Sequence, residues 1–408
     1  MTVQAIDEAE DPFQAFNRAM GAGIVSDPYP QFKAQRDEGS VIKTDLGFGM
    51  PDVLTAASYE AVQAVLRDGQ RFSSSGYAEV MGAVMGHTIL EMDEPEHHSY
   101  RSLIQQAFTR RSMEVWEREL VEPIVDELID DILATGTGSA ELVTALFFPF
   151  PVNVIAGLLG LPRADLPLFH RLTVELISVS IDMDLAARAS ARLAEYLTPF
   201  IHERRQEPGR DMISVLASAE HVDHDGTRHR LTDDEIISFC RLLLPAGAET
   251  TYRSSSNLFY GLLTNPEQLA EVRDDRSLLP QAIEEGLRWE APLLTIFRTA
   301  TVDTEVCGVA VAAGTPILIN MGSANHDESR WPEPERFDIH RAMHAHISFA
   351  SGPHMCLGLH LARMETKVVI ERLLDRLPGV RLDDSAPAPY ITGMTFRAPP
   401  RLDVVFDP

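Results

Sequence analysis

The run Phe349-Ala350-Ser351-Gly352-Pro353-His354-Met355-Cys356-Leu357-Gly358 places a lone cysteine between glycines, directly ahead of a segment with helical period, Leu357 to Leu373. Glycines 352 and 358 let backbone approach a neighbouring group closely. A thiol just before a helix N-terminus is biased toward thiolate by the dipole and the free N–H groups there, which suits a metal ligand or a nucleophile. Four readings compete. A buried, inert cysteine is the ordinary fate of a lone thiol. Zinc is favoured by the crowd of His340, His344, His346, His354 and His360, but one cysteine and histidine spacings without a zinc pattern speak against it. A cysteine hydrolase would use His354 as base, yet nearness in sequence does not place that ring to take the proton. The fourth is haem iron held by a single thiolate, with the flat Phe349 laid near the ligand loop.

The rest of the chain sets the bounds. Its 408 residues are 45% hydrophobic and 24% charged, which is globular composition. With 35 basic and 61 acidic residues the formal charge is −26, so its field repels phosphate backbones and anionic headgroups. Nucleic acid and membrane are excluded as expected partners. The three cysteines, Cys240, Cys307 and Cys356, are odd in number and widely spread, which fits a reducing cytoplasm without structural disulfides. Asp7, Glu8, Glu10 and Asp11 give the N-terminus the wrong charge for a leader peptide. The most apolar window, Thr144 to Pro162, holds Pro149, Pro151, Asn153 and Gly157, and reads as a buried helix rather than a membrane span.

Helical period dominates, for example over Met113 to Leu133, Leu185 to Arg205 and Asp233 to Leu263. Strand-like runs are short: Val41 to Thr44, Val53 to Thr55, Val302 to Val311, Pro316 to Asn320, and a C-terminal piece ending in Leu402 to Phe406. The polar stretch Glu220 to Arg230 reads as a loop between helices. No repeat or linker divides the chain, so one unit is expected over 27–408, preceded by a partly disordered extension over 1–26. Thr232-Asp233-Asp234-Glu235 is a capping-box pattern that starts a helix near Asp233. Inside that helix Pro245, Ala246 and Gly247 predict a kink with open space beside it, followed by Glu249, Thr250 and Thr251. A carboxylate and hydroxyls beside a gap suit proton handling.

Phe349, Gly352, His354, Cys356 and Gly358 resemble the haem-ligand loop of the cytochrome P-450 monooxygenases. Other segments carry the same resemblance, in the same order. Glu285-Gly286-Leu287-Arg288 is similar to the family's Glu-x-x-Arg motif, and Ala246-Gly247-Ala248-Glu249-Thr250-Thr251 to its oxygen-binding helix. Asp93-Glu94-Pro95-Glu96-His97 with Arg101 looks like the segment that contacts haem propionates. Pro332 to Phe337 resembles the meander ahead of the cysteine loop. The resemblance implies a mainly α fold with small β-sheets (α+β), the cytochrome P-450 fold, of the soluble bacterial kind. Pro245 ahead of the Ala-Gly pair and Ala350 in a position often held by glycine are departures from the pattern.

By resemblance, Cys356 is the axial ligand of haem b, with Gly358 beside its sulfur and Phe349 near it. His97, Arg101, Arg298 and His354 hold the propionates, Ala246 and Gly247 give oxygen room, and Glu249 and Thr250 are catalytic, delivering protons to bound oxygen. Glu285, Arg288 and Arg336 are structural, holding the meander. Met81, Val84, Met85, Leu294, Ile296 and Met394 are candidate walls of an apolar pocket, suited to a terpenoid, fatty acyl, steroid or alkyl-aromatic substrate. The resemblance also implies electrons derived from NAD(P)H through a ferredoxin and its reductase. Because a ferredoxin is usually acidic, as this chain is, docking is expected on a local basic patch, with Arg110, Arg111, Arg363 and Lys367 as candidates, on a monomer. The rivals are a haem sensor or carrier without turnover, a peroxide-driven hydroxylase and, more distantly, a zinc hydrolase.

Overall fold

The computed structural model describes residues 25–44, 53–177, 182–222 and 228–407. Most of the expected extension, residues 1–24, lies outside them. Val25 and Ser26 do not behave as an extension: the Val25 carbonyl accepts from Gly393 N at 3.1 Å and the Ser26 carbonyl from Arg397 Nη2 at 3.0 Å.

The fold is organised around one helix of 32 residues, Asp233–Thr264. Its start follows from the sequence. Thr232 Oγ1 accepts from Glu235 N at 3.2 Å, Glu235 Oε2 accepts from Thr232 N at 2.6 Å, and three acidic residues fill the positive first turn. Pro245 sits inside this helix without ending it. Its buried residues lie on every side, which makes it the axis of the main core rather than an amphipathic surface helix. Against it pack Pro149–Leu158, Met183–Gln206, Leu279–Trp289 and Leu359–Arg376, the last being the helix that follows Cys356. The apolar window around Phe150 is the buried helix the sequence suggests, and among the described residues no helix is long and apolar enough to cross a membrane.

A smaller layer is built on a five-stranded sheet, numbered here β1 (Val41–Thr44), β2 (Val53–Ala56), β3 (Phe72–Ser73), β4 (Thr295–Ala300) and β5 (Pro316–Asn320), in the order β1-β2-β5-β4-β3. β5 runs parallel to β2, with Ile317 opposite Leu54, and antiparallel to β4, with Leu318 opposite Phe297. Ile317 and Ile319 point into a second core with Val62, Val65 and Trp331. The C-terminal strand Asp403–Val405 forms the middle of a separate sheet, between Arg381–Leu382 and Ser139–Glu141.

Three expectations change. Val302 to Val311 is not one strand: Cys307 and Gly308 both take positive φ and fold it into a hairpin of Thr304–Val306 and Val309–Val311. Glu220 to Arg230 is not wholly loop, since Glu220–Val222 pairs with Arg228–Arg230. β4, which carries Arg298, was not among the expected strands because its Phe-Arg-Thr centre does not alternate cleanly.

Candidate functional site

The cysteine loop is held by backbone. Cys356 N donates to Phe349 O at 2.9 Å, closing the loop into a tight bend, and Ala350 (φ 56°) and Gly352 (φ 75°) are left-handed within it. At Gly352 a Cβ would sit 2.2 Å from Leu66 O and 2.9 Å from Arg67 Cα, so only glycine lets the loop lie on the C-terminal end of helix Tyr59–Arg67. Gly69 packs against Pro353 in the same seam. Gly358 caps helix Leu359–Arg376, and its N–H reaches the Cys356 sulfur. Burial pushes the thiol up from its ordinary value, while that N–H and the charges of Arg101 and Arg363 pull it down. A sulfur with donors in place that burial still keeps protonated is one that a bound metal ion would ionise outright.

Beside it converge the groups expected at the propionates. Helix Glu96–Gln105 sets His97 and Arg101 four residues apart on one face. Arg101 Nη2 donates to Met355 O at 2.6 Å. The His97 ring is buried against His354, centroids 4.0 Å apart, and its Nδ1 lies 3.0 Å from Glu94 Oε1. His354 Nε2 lies 3.2 Å from Ser74 Oγ. Arg298, buried on β4, uses Nη1 to bond Phe297 O at 2.8 Å and packs by Tyr77. Burial, with His97, Arg298 and Arg101 nearby, lowers His354 to about 3, and burial also lowers His97. The fixed positive charge of this cluster is that of Arg101 and Arg298.

On the facing side Ala246 is exposed although it lies mid-way along a core helix, and Thr250, one turn on, is half-buried. Thr250 Oγ1 donates to Ala246 O at 2.8 Å, so its hydrogen is committed and its lone pairs remain to accept. Gly247 does not share this space: its Cβ would stand 2.4 Å from Ile155 Cδ1, and its smallness serves the close packing of helix Pro149–Leu158. Thr251 points elsewhere, to Glu365, whose buried carboxyl is pushed up to about 8. Glu249 is buried and its Oε1 is 2.6 Å from Arg253 Nε, a partner the sequence reading had not assigned although Glu and Arg four apart on a helix is a recognised signal.

The structural group is rearranged in one member. Arg288 grips Glu285 with Nε at 2.7 Å and Nη2 at 2.9 Å, and donates to the carbonyls of Asn325 (3.0 Å), Pro334 (2.9 Å) and Arg336 (3.3 Å). Only the backbone of Arg336 takes part, since its side chain is 63% exposed. The buried second cation is Arg341, which the sequence reading missed, with Nε 3.1 Å from Glu285 Oε1.

The expected pocket walls divide. Leu294 is fully buried among Tyr29, Phe32 and Ala291, so it packs the N-terminal helix Tyr29–Glu38. Val84 and Met85 are fully packed side chains of the main core. Met81 is partly buried against that core and Ile296 against the second core, while Met394 is 44% exposed. In the expected docking patch, Arg363 is engaged with Glu284 at 2.6 and 2.7 Å, and Lys367 with Glu371 and Glu117. Arg110, paired with exposed Glu114, and Arg111 stay on the surface. The zinc reading loses its histidines: His340 bonds Glu271 and His346 bonds Glu284, and among the described residues no His/Cys/Asp/Glu trio could hold an ion.

A haem would require a sulfur on one face, acid-binding groups at an edge and clearance opposite, and the residues present fit it. Among the described residues His97 Nε2 is buried with no partner, a cost of roughly 1–3 kcal/mol that a propionate accepting from a proton on that nitrogen would remove. Arg101 and Arg298 supply the charge, and Ala246 the clearance.

The family model described as cytochrome P-450 matches residues 162–401, more than half of the chain. Cytochrome P-450 monooxygenase PikC of Streptomyces venezuelae is 35% identical over 388 residues, spanning 92% of this chain and 91% of that protein. A steroid C26-monooxygenase of Mycobacterium tuberculosis is 35% identical over 365 residues, 86% of this chain and 94% of that one. Among solved structures, CYP109E1 of Bacillus megaterium in complex with testosterone superposes with a TM-score of 0.83 at 30% identity, covering 94% of this chain and all of that one. Sequence and fold agree over nearly the whole length, and we conclude that the chain belongs to the cytochrome P-450 family and is a monooxygenase, an oxidoreductase of a family that carries thiolate-bound haem and draws electrons from external donors.

Proposed function

We propose that this protein mono-oxygenates an apolar small molecule with O2, using haem b on Cys356 and electrons passed from NAD(P)H through a ferredoxin and its reductase. The overall change is RH + O2 + NAD(P)H + H⁺ to ROH + H2O + NAD(P)⁺. The observation that carries the reading is the half-buried Cys356 thiol just ahead of a helix N-terminus, with the Gly358 N–H on it and Arg101 beside it. When bound, the haem supplies the iron at which O2 is activated. Cys356 would hold the group, the Gly358 N–H would tune the sulfur, and Arg101 and Arg298 would neutralise its acid edge, with His97 and His354 beside them. Thr250 accepts a hydrogen bond on the oxygen side, and Glu249 carries protons to it. The substrate class is supported by the exposed Met394 and partly buried Ile296 and Met81, and by relatives whose names record a steroid and testosterone.

The test is an absorption spectrum, ferric and then reduced under carbon monoxide, followed by titration with testosterone, hexadecanoic acid and limonene. A strongly red-shifted Soret band and a high-spin shift with at least one compound are expected, and that compound should then be turned over with a ferredoxin system. A protein that cannot be loaded with haem would overturn the proposal. Thr250→Ala is expected to divert electrons from product to hydrogen peroxide, lowering product per NAD(P)H by about tenfold, since a positioned proton group contributes on that order or more. The measurement is the ratio of product and peroxide to NAD(P)H consumed.

Docking is assigned to the exposed cations at Arg110 and Arg111. Reversing both to glutamate should slow reduction by ferredoxin about tenfold at low salt, with the difference closing as salt rises. Stopped-flow reduction at two ionic strengths reads this, and equal rates at low salt would reject the patch.

A further inference from the structure

We propose that Arg253 is a positioning residue for Glu249, and that Phe396 ties this pair to the C-terminal turn, so that the proton-carrying carboxylate responds to what lies against that turn. The inference rests on the proton-carrying reading of Glu249 and deepens it.

Glu249, Arg253 and Asn257 are spaced by four on the central helix and share one face. Asn257 shows where that face looks: its Nδ2 donates to Glu290 O and to Arg397 O, both at 3.0 Å, the latter in the C-terminal turn. One turn earlier, the side chains of Glu249 and Arg253 are 4% and 3% exposed. Both Nε and Nη2 of Arg253 address the same oxygen, Glu249 Oε1, while Oε2 is buried with no partner among the described residues. A side-on fork would have satisfied both oxygens. The arrangement instead anchors the carboxylate by one oxygen and leaves the other able to take and give a proton.

Arg253 is not itself a proton carrier, because a guanidinium does not deprotonate in a protein. Its role is to hold, and two aromatic rings pack against it: its Cζ lies 4.8 Å from the Tyr252 centroid and 5.6 Å from the Phe396 centroid. Phe396 is half-buried and belongs to the turn that bridges Leu293 and whose Thr395 carbonyl accepts from Leu294 N at 2.8 Å. Gly393 bends this turn at φ 116°, where a Cβ would meet Phe396 O at 1.9 Å, and Met394 stands exposed at its tip. An apolar molecule lying on Met394 and Phe396 therefore presses on the packing of the cation that anchors Glu249.

The experiment uses the haem-loaded enzyme with its ferredoxin system and the panel compound that is turned over. It compares Arg253→Gln, Arg253→Lys, Phe396→Leu and Glu249→Gln. Arg253→Gln should lower product per NAD(P)H by about threefold and release the difference as hydrogen peroxide or water, and Arg253→Lys should restore at least about half of the coupling. Turnover supported by added hydrogen peroxide should change less than about twofold in both, and the carbon monoxide band should keep its position. Coupling unchanged in Arg253→Gln, or a parallel loss of peroxide-supported turnover, would overturn the positioning role. Should Arg253→Gln not fold, Arg253→Lys and Phe396→Leu decide. Phe396→Leu should change coupling by about twofold, and an unchanged value would remove the link to the turn. If Glu249→Gln itself stays coupled, the proton-carrying reading fails; if it uncouples while the Arg253 variants do not, only the present inference falls.

Discussion

Cys356→Ala is expected to give a protein that folds but shows neither the red-shifted carbon monoxide band nor monooxygenase turnover. The loop does not depend on the sulfur for its shape. Its closing bond is made by the Cys356 N–H to Phe349 O, Gly352 seats it on Leu66 and Arg67, and Gly358 caps the following helix by backbone alone. Alanine keeps every one of these and removes a single half-buried sulfur atom, for a stability change of about 1 kcal/mol. What disappears is the sulfur toward which the Gly358 N–H and the Arg101 charge are aimed. Helical circular dichroism retained beside loss of the thiolate spectrum is the expected pair of results. A variant that kept the red-shifted band would show that another residue holds the metal.

The second large effect is expected at Arg288→Met, which should cost about 3–5 kcal/mol, because it leaves the buried Glu285 short of a partner and strips carbonyls of their donor. Arg288 joins three segments at once: its own helix through Glu285, the Asn325 carbonyl, and the Pro334 and Arg336 carbonyls of the meander. Arg341 cannot take over, since its guanidinium is already spent on Glu285 and on the carbonyls of Pro332, Glu333 and Arg336. The denaturant midpoint reads the loss, and haem content per protein should fall with it. A variant with wild-type stability would mean that the meander is held elsewhere. Arg336→Ala should leave the unfolding free energy within about 0.5 kcal/mol, because that exposed side chain makes only long ion pairs with Glu333 and Asp338 while its carbonyl does the holding.

The contrast between Arg288 and Arg336 shows what the sequence could and could not carry. Local chemistry was legible: the Thr232–Glu235 box starts the central helix where it was expected, and the glycines around Cys356 mark the positions where backbone approaches backbone. Motif spacing also located Glu285 and Arg288. It pointed to Arg336 where the fold uses Arg341, because the choice between two nearby arginines depends on which one the meander turns inward, a matter of long-range packing. Leu294 failed for a related reason: an apolar residue beside a strand suits a pocket or a core equally, and helix Tyr29–Glu38, distant in sequence, took it. Arg253 is the reverse case, since its spacing from Glu249 was readable without any structure. β4 was missed because its burial comes from its neighbours β5 and β3, not from its own alternation.

The seat of Gly352 on Leu66 and Arg67 has a bearing on biogenesis. Helix Tyr59–Arg67 belongs to the second core, with Val62, Val65 and Leu66 packed on the sheet, while the helix after Cys356 belongs to the main core. The cysteine is thus aimed jointly by two layers that are far apart in the chain, and neither layer alone gives the loop its final form. Colour becomes a reporter of assembly: in a cell the haem content of a variant will register whether both layers have closed on each other, so that a cavity opened at Val65 or Ile317, remote from any chemistry, should surface first as pale protein.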